Sequence, residues 1–172
     1  IFYQTEGLFF KIAEFLVNMP ILDAYDKKIL AALQKDGRMS LNDISQAAGL
    51  SSSPCWRRIK KLEKAGVIEG YSAIINPEAA GVGLNLFVHV SMDLHEVSKF
   101  EAAIIDHPLI VECFAVTGDS DYLLHVMVKD IAASDKFLRK ELVSMPGVKE
   151  FSTRFAISPI KKRRAIPLQD ML

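Results

Sequence analysis

Between Leu22 and Gly66 the apolar residues recur at helical spacing, and beyond Gly83 they alternate as strands do. Three helices are predicted in the first stretch. Asp23 is placed to cap the first, with Leu22 before it as a hydrophobic staple and Ile29, Leu30 and Leu33 as its inward stripe. Lys35-Asp36-Gly37-Arg38 ends it, Gly37 being suited to a left-handed C-cap. Ser40 caps a short second helix, Leu41 to Ala48, which turns Ile44 and Ala48 inward, and Gly49 supplies a tight turn. Ser51 caps a third helix that runs to about Ala65 and closes at Gly66. Pro54 falls in its first turn, where a missing N–H does no harm. A supporting helix followed by two helices on a glycine turn is the helix-turn-helix arrangement. Val67 to Ile75 then reads as a two-stranded wing around Gly70.

Asn76-Pro77 through Gly83 reads as a linker. After it come a strand over Leu84–Met92, a helix at about Glu96–Asp106, and a strand over Val111–Thr117. A turn at Gly118–Asp121 leads to a strand over Tyr122–Val128, a helix at about Ala132–Val143, and a last strand over Val148–Ser158. The order βαββαβ is the ferredoxin-like split arrangement. The fold class expected is α+β: a winged helix-turn-helix domain at 19–75, a hinge at 76–83 and a βαββαβ domain at 84–172. Residues 1–18 stand apart. They are apolar but lack the basic start and small-residue cleavage site of a signal peptide, and Glu6, Lys11 and Glu14 interrupt any membrane span. Met19-Pro20 reads as a natural start, so 1–18 is taken as upstream or expression-derived sequence without a function. No other stretch reads as a membrane crossing.

Composition fits a globular chain with a real core: 172 residues, half of them hydrophobic and 24% charged. Cys55 and Cys113 lie far apart and form no Cys/His cluster, which argues against a disulfide scaffold or zinc finger and for a reducing cytoplasm. The formal net charge is zero, but its distribution is uneven. Residues 19–77 carry nine basic and six acidic groups, whereas 84–157 carry seven basic and eleven acidic. Lys161, Lys162, Arg163 and Arg164 make the tail basic again. A basic half beside an acidic half fits nucleic-acid binding joined to another task, although basic faces are common in proteins that never touch DNA.

The third helix sharpens that reading. At about 100° per residue, Ile59 and Leu62 fall with Cys55 on a buried stripe. Ser53, Arg57, Lys60, Lys61 and Lys64 fall opposite, with Ser51 and Ser52 at the helix start and Trp56 on the flank. A narrow cationic face on the second helix of a helix-turn-helix fits the major groove, where Arg and Lys meet phosphates and guanine edges. Ser51, Ser52, Ser53, Trp56, Arg57, Lys60, Lys61 and Lys64 are therefore the DNA-binding candidates. A merely solvated face is the bland alternative. Arg58 lies nearer the core edge, where an internal ion pair is expected.

These residues resemble the Lrp/AsnC (feast/famine) family of transcriptional regulators over nearly the whole chain from Met19. The resemblance rests on Leu22-Asp23, Asp26, Ile29-Leu30, Asp36-Gly37-Arg38, Gly49-Leu50-Ser51 and Pro54-Cys55. Arg58-Ile59, Leu62-Glu63, Gly66-Val67-Ile68 and Gly70-Tyr71 continue it. In the second half, Val116-Thr117-Gly118-Asp119-Ser120-Asp121-Tyr122-Leu123-Leu124 looks like the family's effector-loop signature, followed by Pro146-Gly147-Val148, Thr153 and Ala165-Ile166-Pro167-Leu168. Trp56 departs from the pattern, where the family usually has an aliphatic residue. The resemblance implies a winged DNA-binding domain that takes promoter DNA, and a regulatory domain that pairs subunits into dimers and often octamers. It implies a small amino acid as effector, bound in clefts between dimers. No metal and no cofactor is expected.

The loop supports an effector site on physical grounds too. Gly118 permits unusual backbone angles and close approach of a ligand, and backbone N–H groups in such a turn can receive an α-carboxylate. Asp119 and Asp121 supply charge for an α-ammonium group, and Ser120 adds a hydroxyl; Tyr122 completes the motif. Thr153, matching a threonine of the family's last strand, is expected to line the same cleft. The alternative is a hairpin whose Asp residues satisfy turn amides. Among His89, His95, His107 and His125, alternation sets His89 and His125 as neighbours on the sheet face away from the helices, an interface or solvated position rather than a metal site. No GxSxG, P-loop or GxGxxG motif occurs, and the chain is not expected to be an enzyme. Two rival readings stay open: an amino-acid-sensing regulatory subunit of a metabolic enzyme without DNA binding, and an adaptor whose winged helix binds protein.

Overall fold

A computed structural model of the chain describes residues 21–161 and 165–168. The expectations for 1–18 and for Lys162, Arg163 and Arg164 lie outside the described residues. The described residues divide into two compact units, one of 21–73 with 165–168 and the other of 74–161.

The first unit holds α1 (Ala24–Lys35), α2 (Leu41–Ala48) and α3 (Ser52–Lys64). Asp23 caps α1 in a capping box with Asp26, each carboxylate accepting from the other's neighbourhood of the backbone. Ser40 caps α2 through the Asp43 amide, and α2 closes on Gly49. Ile29, Leu30, Ile44, Ala48, Cys55, Ile59 and Leu62 form the core between the three helices, as their spacing requires. Leu168 packs against this core, and the Gln34 side-chain amide donates to the Ile166 carbonyl at 3.3 Å while its oxygen accepts from the Ile166 amide. The tail expected in the βαββαβ domain thus completes the helical unit.

Two local expectations fail here. Gly37 is not left-handed; the Asp36 amide closes α1 on Ala32 and the Asp36 carboxylate accepts from Arg38 N–H, so a side chain makes the turn. Val67 and Ile68 form a bend and residues 69–76 no helix or strand, so the wing read at Val67–Ile75 carries no strand ladder. Val67 and Ile68 instead donate back to the Leu62 carbonyl at the end of α3. A lone hairpin gains too little to hold together without a third strand or a packed face.

The second unit runs β1 (Leu84–Met92), a 3-10 turn (Leu94–Glu96), α4 (Val97–Ile105), β2 (Ile110–Ala115), β3 (Tyr122–Val128), α5 (Ile131–Lys136) with a π-helical continuation (Phe137–Leu142), and β4 (Val148–Phe155). The antiparallel sheet has the order β2-β3-β1-β4. Alternation sorts its faces. Leu86, Val88, Val90, Leu124, Val126 and Val128 bury against Phe100, Ile104, Phe137 and Leu142 of the helices. The opposite face carries Asn85, Phe87, His89 and Ser91 of β1 and Leu123, His125 and Met127 of β3, half-buried or exposed.

Candidate nucleic-acid interface and effector loop

On α3 the buried stripe is Cys55, Ile59 and Leu62. Ser51, Ser52, Ser53, Trp56, Arg57, Lys60, Lys61 and Lys64 are all exposed, and Trp56 is 52% accessible despite its size. Ser51 is the N-cap residue but its hydroxyl makes no capping bond, so the first amides of α3 stay open to solvent or an anion. Lys60 pairs with Glu63 at 2.7 Å, and Glu63 also accepts from the Tyr71 hydroxyl at 3.1 Å. Arg57, Lys61 and Lys64 form no ion pair among the described residues. Arg58 is spent internally. Its guanidinium bonds Asp23 at 2.6 Å and the buried Asp26 at 2.8 Å, and lies 5.3 Å from the centre of the Tyr25 ring. The Asp26 amide, then Arg58, hold the Asp23 carboxyl below its ordinary range. One cation therefore fixes α3 against α1, while the others face outward.

In the second unit, residues 116–121 join β2 to β3. Gly118 has φ +118° with nothing within 4 Å of where a Cβ would stand, so the backbone demands glycine and the space beside it is open. The turn is pinned from inside. Asp121 N–H donates to the Val90 carbonyl at 2.9 Å, and the Asp121 carboxylate accepts from the Met92 amide at 2.8 Å. The Ser91 hydroxyl reaches the Asp119 carbonyl at 3.4 Å, and Ser120 Oγ lies 3.2 Å from His89 Nδ1. Gly118 and Asp119 are exposed, Ser120 and Asp121 half-buried.

Two expected loop contributors are placed elsewhere. Tyr122 is buried, packs on Phe100 and donates its hydroxyl to Glu101 at 2.7 Å; burial and that carboxylate push its phenol far above the ordinary value. It serves the core. Thr153 pairs with Val88 on the helix-facing side of the sheet, with its Oγ1 buried and unbonded, whereas the polar contacts of the loop lie on the other face. Alternation within β4 would have separated Thr153 from that face. Sequence reasoning passed over Arg154, whose Nη1 lies 2.8 Å from His89 Nε2. It is one residue along from Thr153 and alternation puts it on the loop's side. Phe87 pairs with His125 and stacks on its ring at 4.9 Å; His125 also contacts Asn85 Oδ1 and Glu112 Oε2. Among the described residues no cluster of His, Cys, Asp and Glu could hold a metal.

Comparison with known proteins decides what this pairing of units is. Residues 22–69 match the model for winged helix-turn-helix DNA-binding domains, and residues 85–166 match the Lrp/AsnC ligand binding domain. The Bkd operon transcriptional regulator of Pseudomonas aeruginosa is 41% identical over 153 residues, which cover 87% of this chain and 100% of that protein. The chain belongs to the Lrp/AsnC family. The leucine-responsive regulatory protein of Escherichia coli is 36% identical, with 86% of this chain and 92% of that protein covered. A transcriptional regulator from Neisseria meningitidis, solved as a complex with L-methionine, superimposes with a TM-score of 0.84 at 37% identity, covering 88% of this chain and 100% of that one. As an Lrp/AsnC regulator, the chain joins a DNA-binding unit to a ligand-binding unit, and the resemblance drawn from its motifs holds across both. No helix among the described residues is long and apolar enough to cross a membrane.

Proposed function

We propose that the protein is a homo-oligomeric transcriptional regulator of the cytoplasm that binds promoter DNA through α3 and takes a small amino acid at the Gly118–Asp121 loop. The carrying observation is the outward face of α3. Arg57 in the middle of the helix and Lys61 and Lys64 in its last turn stand exposed and form no ion pair among the described residues, and the N-terminus of the same helix is open. A solvated face would gain from intrahelical ion pairs; a face meant for phosphates keeps its cations free. This supports DNA over a protein partner or a purely enzymatic one.

The loop supports the effector half of the proposal through its open glycine and the acceptors that hold it from behind. L-methionine is a sensible first ligand, since the Neisseria meningitidis relative was solved with it. Self-association is supported by the sheet face away from the helices, where Phe87 and Phe114 remain 38% and 51% accessible beside Leu123 and Met127. A gel shift against the protein's own promoter at graded salt tests the central claim. Binding should weaken steeply as salt rises; affinity indifferent to salt, or none at all, removes it.

A further inference from the structure

Arg154, on edge strand β4, touches His89 of β1, and His89 touches Ser120 of the loop between β2 and β3. These three side chains make a chain of hydrogen bonds whose direction is fixed by chemistry. A guanidinium has donors and no acceptor, and it does not lose its proton in proteins. The contact of Arg154 Nη1 with His89 Nε2 at 2.8 Å therefore requires Nε2 to be the unprotonated, accepting nitrogen. The ring proton then sits on Nδ1. At 3.2 Å from Ser120 Oγ, that Nδ1–H donates and the hydroxyl oxygen accepts. Ser120 cannot spend its own proton on His89, so its O–H points away as a donor.

Most other bonds of the loop have the same polarity, the Asp121 amide, which donates to the Val90 carbonyl, being the exception. The Asp119 carbonyl accepts from Ser91, the Asp121 carbonyl from the Val116 amide, and the Asp121 carboxylate from the Met92 amide. Acceptors are held inward by the sheet. The outward donors left for a ligand include the Ser120 hydroxyl, two residues along from a glycine whose side is open.

We propose that Arg154 sets the hydrogen-bond polarity of the effector loop: by selecting the Nδ1–H tautomer of His89 it commits the Ser120 hydroxyl to donate to the carboxylate of a bound amino acid. Arg154 and His89 are positioning residues, and Ser120 is the one that meets the ligand. The inference rests on the effector reading of the loop. Without Arg154 the other tautomer becomes available, Nδ1 can accept, and the Ser120 proton can turn inward, presenting an oxygen lone pair to an anion.

A distinctive consequence follows. A protonated imidazole donates from both nitrogens, so protonation restores Nδ1–H donation in a protein that lacks Arg154. The charged or titratable groups facing His89 are Arg154 and Glu150 on β4, Asp119 and Asp121 on the loop, and His125 with its partner Glu112 on β3 and β2. Arg154→Lys keeps a group that can only donate, whereas the amide of a glutamine could donate or accept and would fix neither tautomer.

The test is calorimetric titration of the full-length protein with each of the twenty protein amino acids, L-methionine first. Ser120→Ala and Arg154→Met should each weaken binding at pH 8 by about ten- to hundredfold, the worth of a hydrogen bond to a charged group. Arg154→Lys should stay close to the parent. On acidification from pH 8 to pH 5.5, Arg154→Met should regain most of its lost affinity. The double variant Arg154→Met/Ser120→Ala should bind like Ser120→Ala alone and show no regain. Circular dichroism of each variant checks that the fold is kept. Additive losses, a regain that persists without Ser120, or parental binding by Arg154→Met would overturn the inference while leaving the effector site standing. If no amino acid binds the parent protein, the effector reading falls and takes this inference with it.

Discussion

Gly147 stands between the π-helical turn and β4 with φ +75°, and a Cβ there would lie 2.6 Å from that of Glu96. Both the backbone angle and the space exclude a side chain, and its carbonyl accepts from the Asp93 amide at 2.7 Å. Gly147→Ala is expected to cost about 1–3 kcal/mol, read as a lower melting temperature of the second unit. Gly118→Ala meets no atom, so strain alone should make it milder. Residue identity was readable from the sequence where one local rule governed. Asp23 and Ser40 cap as their types suggest, and Arg58 turns inward because its helical angle puts it beside α1. It was unreadable where a distant partner decided. Tyr122 is drawn into the core by Phe100 and Glu101, and Arg154 gains its meaning only when β1 carries His89 to it.

At the scale of the element, the proposed DNA contact of α3 and its packing role can be separated by mutation. Arg57→Ala should cost about 1–3 kcal/mol of DNA binding and change sequence preference if the guanidinium reads a base. Lys64→Ala should weaken all sequences alike and flatten the salt dependence. Parental DNA binding by both variants would remove α3 as the recognition helix. Arg58→Ala acts on the fold instead, since it leaves the buried Asp26 without its cation. The same pairing makes the first unit acid-sensitive. Because the Asp23 carboxyl titrates lower in the folded chain than unfolded, its contribution is complete above the unfolded value of about 3.9. That contribution is lost as the pH falls through the folded value, so the melting temperature should drop on acidification and drop less in Asp23→Asn. Elements with a long, unbroken period were legible almost to the residue: β1 and β3 fall at the positions that alternation predicts. The ladder of the wing was not, because Val67 and Ile68 pack on the helical core while Tyr71, Ile74 and Ile75 stay exposed, leaving the second segment no packed face to pair over.

For the whole molecule, the question is how a ligand on the acidic unit can reach promoter binding by the basic one. A ligand changes an equilibrium only to the extent that it prefers one state, since equal affinity shifts nothing. The proposed self-association would supply such states. One recognition helix seldom suffices for specific binding, whereas a dimer spans two half-sites about one helical turn apart. Phe114 pairs with Leu123 on the open sheet face and is 51% accessible in the single chain, so Phe114→Asp should lower the oligomeric mass in sedimentation while preserving the circular dichroism of the fold. It should also weaken promoter binding far more than binding of a single half-site. If the effector acts on assembly, its affinity must differ between DNA-bound and free protein. The difference should correspond to about 1–3 kcal/mol of coupling, and DNA must change effector affinity by the same factor that effector changes DNA affinity. Titration of both forms with L-methionine measures it. Equal affinities, or a full effector response in a Phe114→Asp protein that no longer assembles, would mean that the amino acid acts within one subunit, and the route from loop to α3 would have to run through the 74–83 segment instead of through the number of recognition helices presented to DNA.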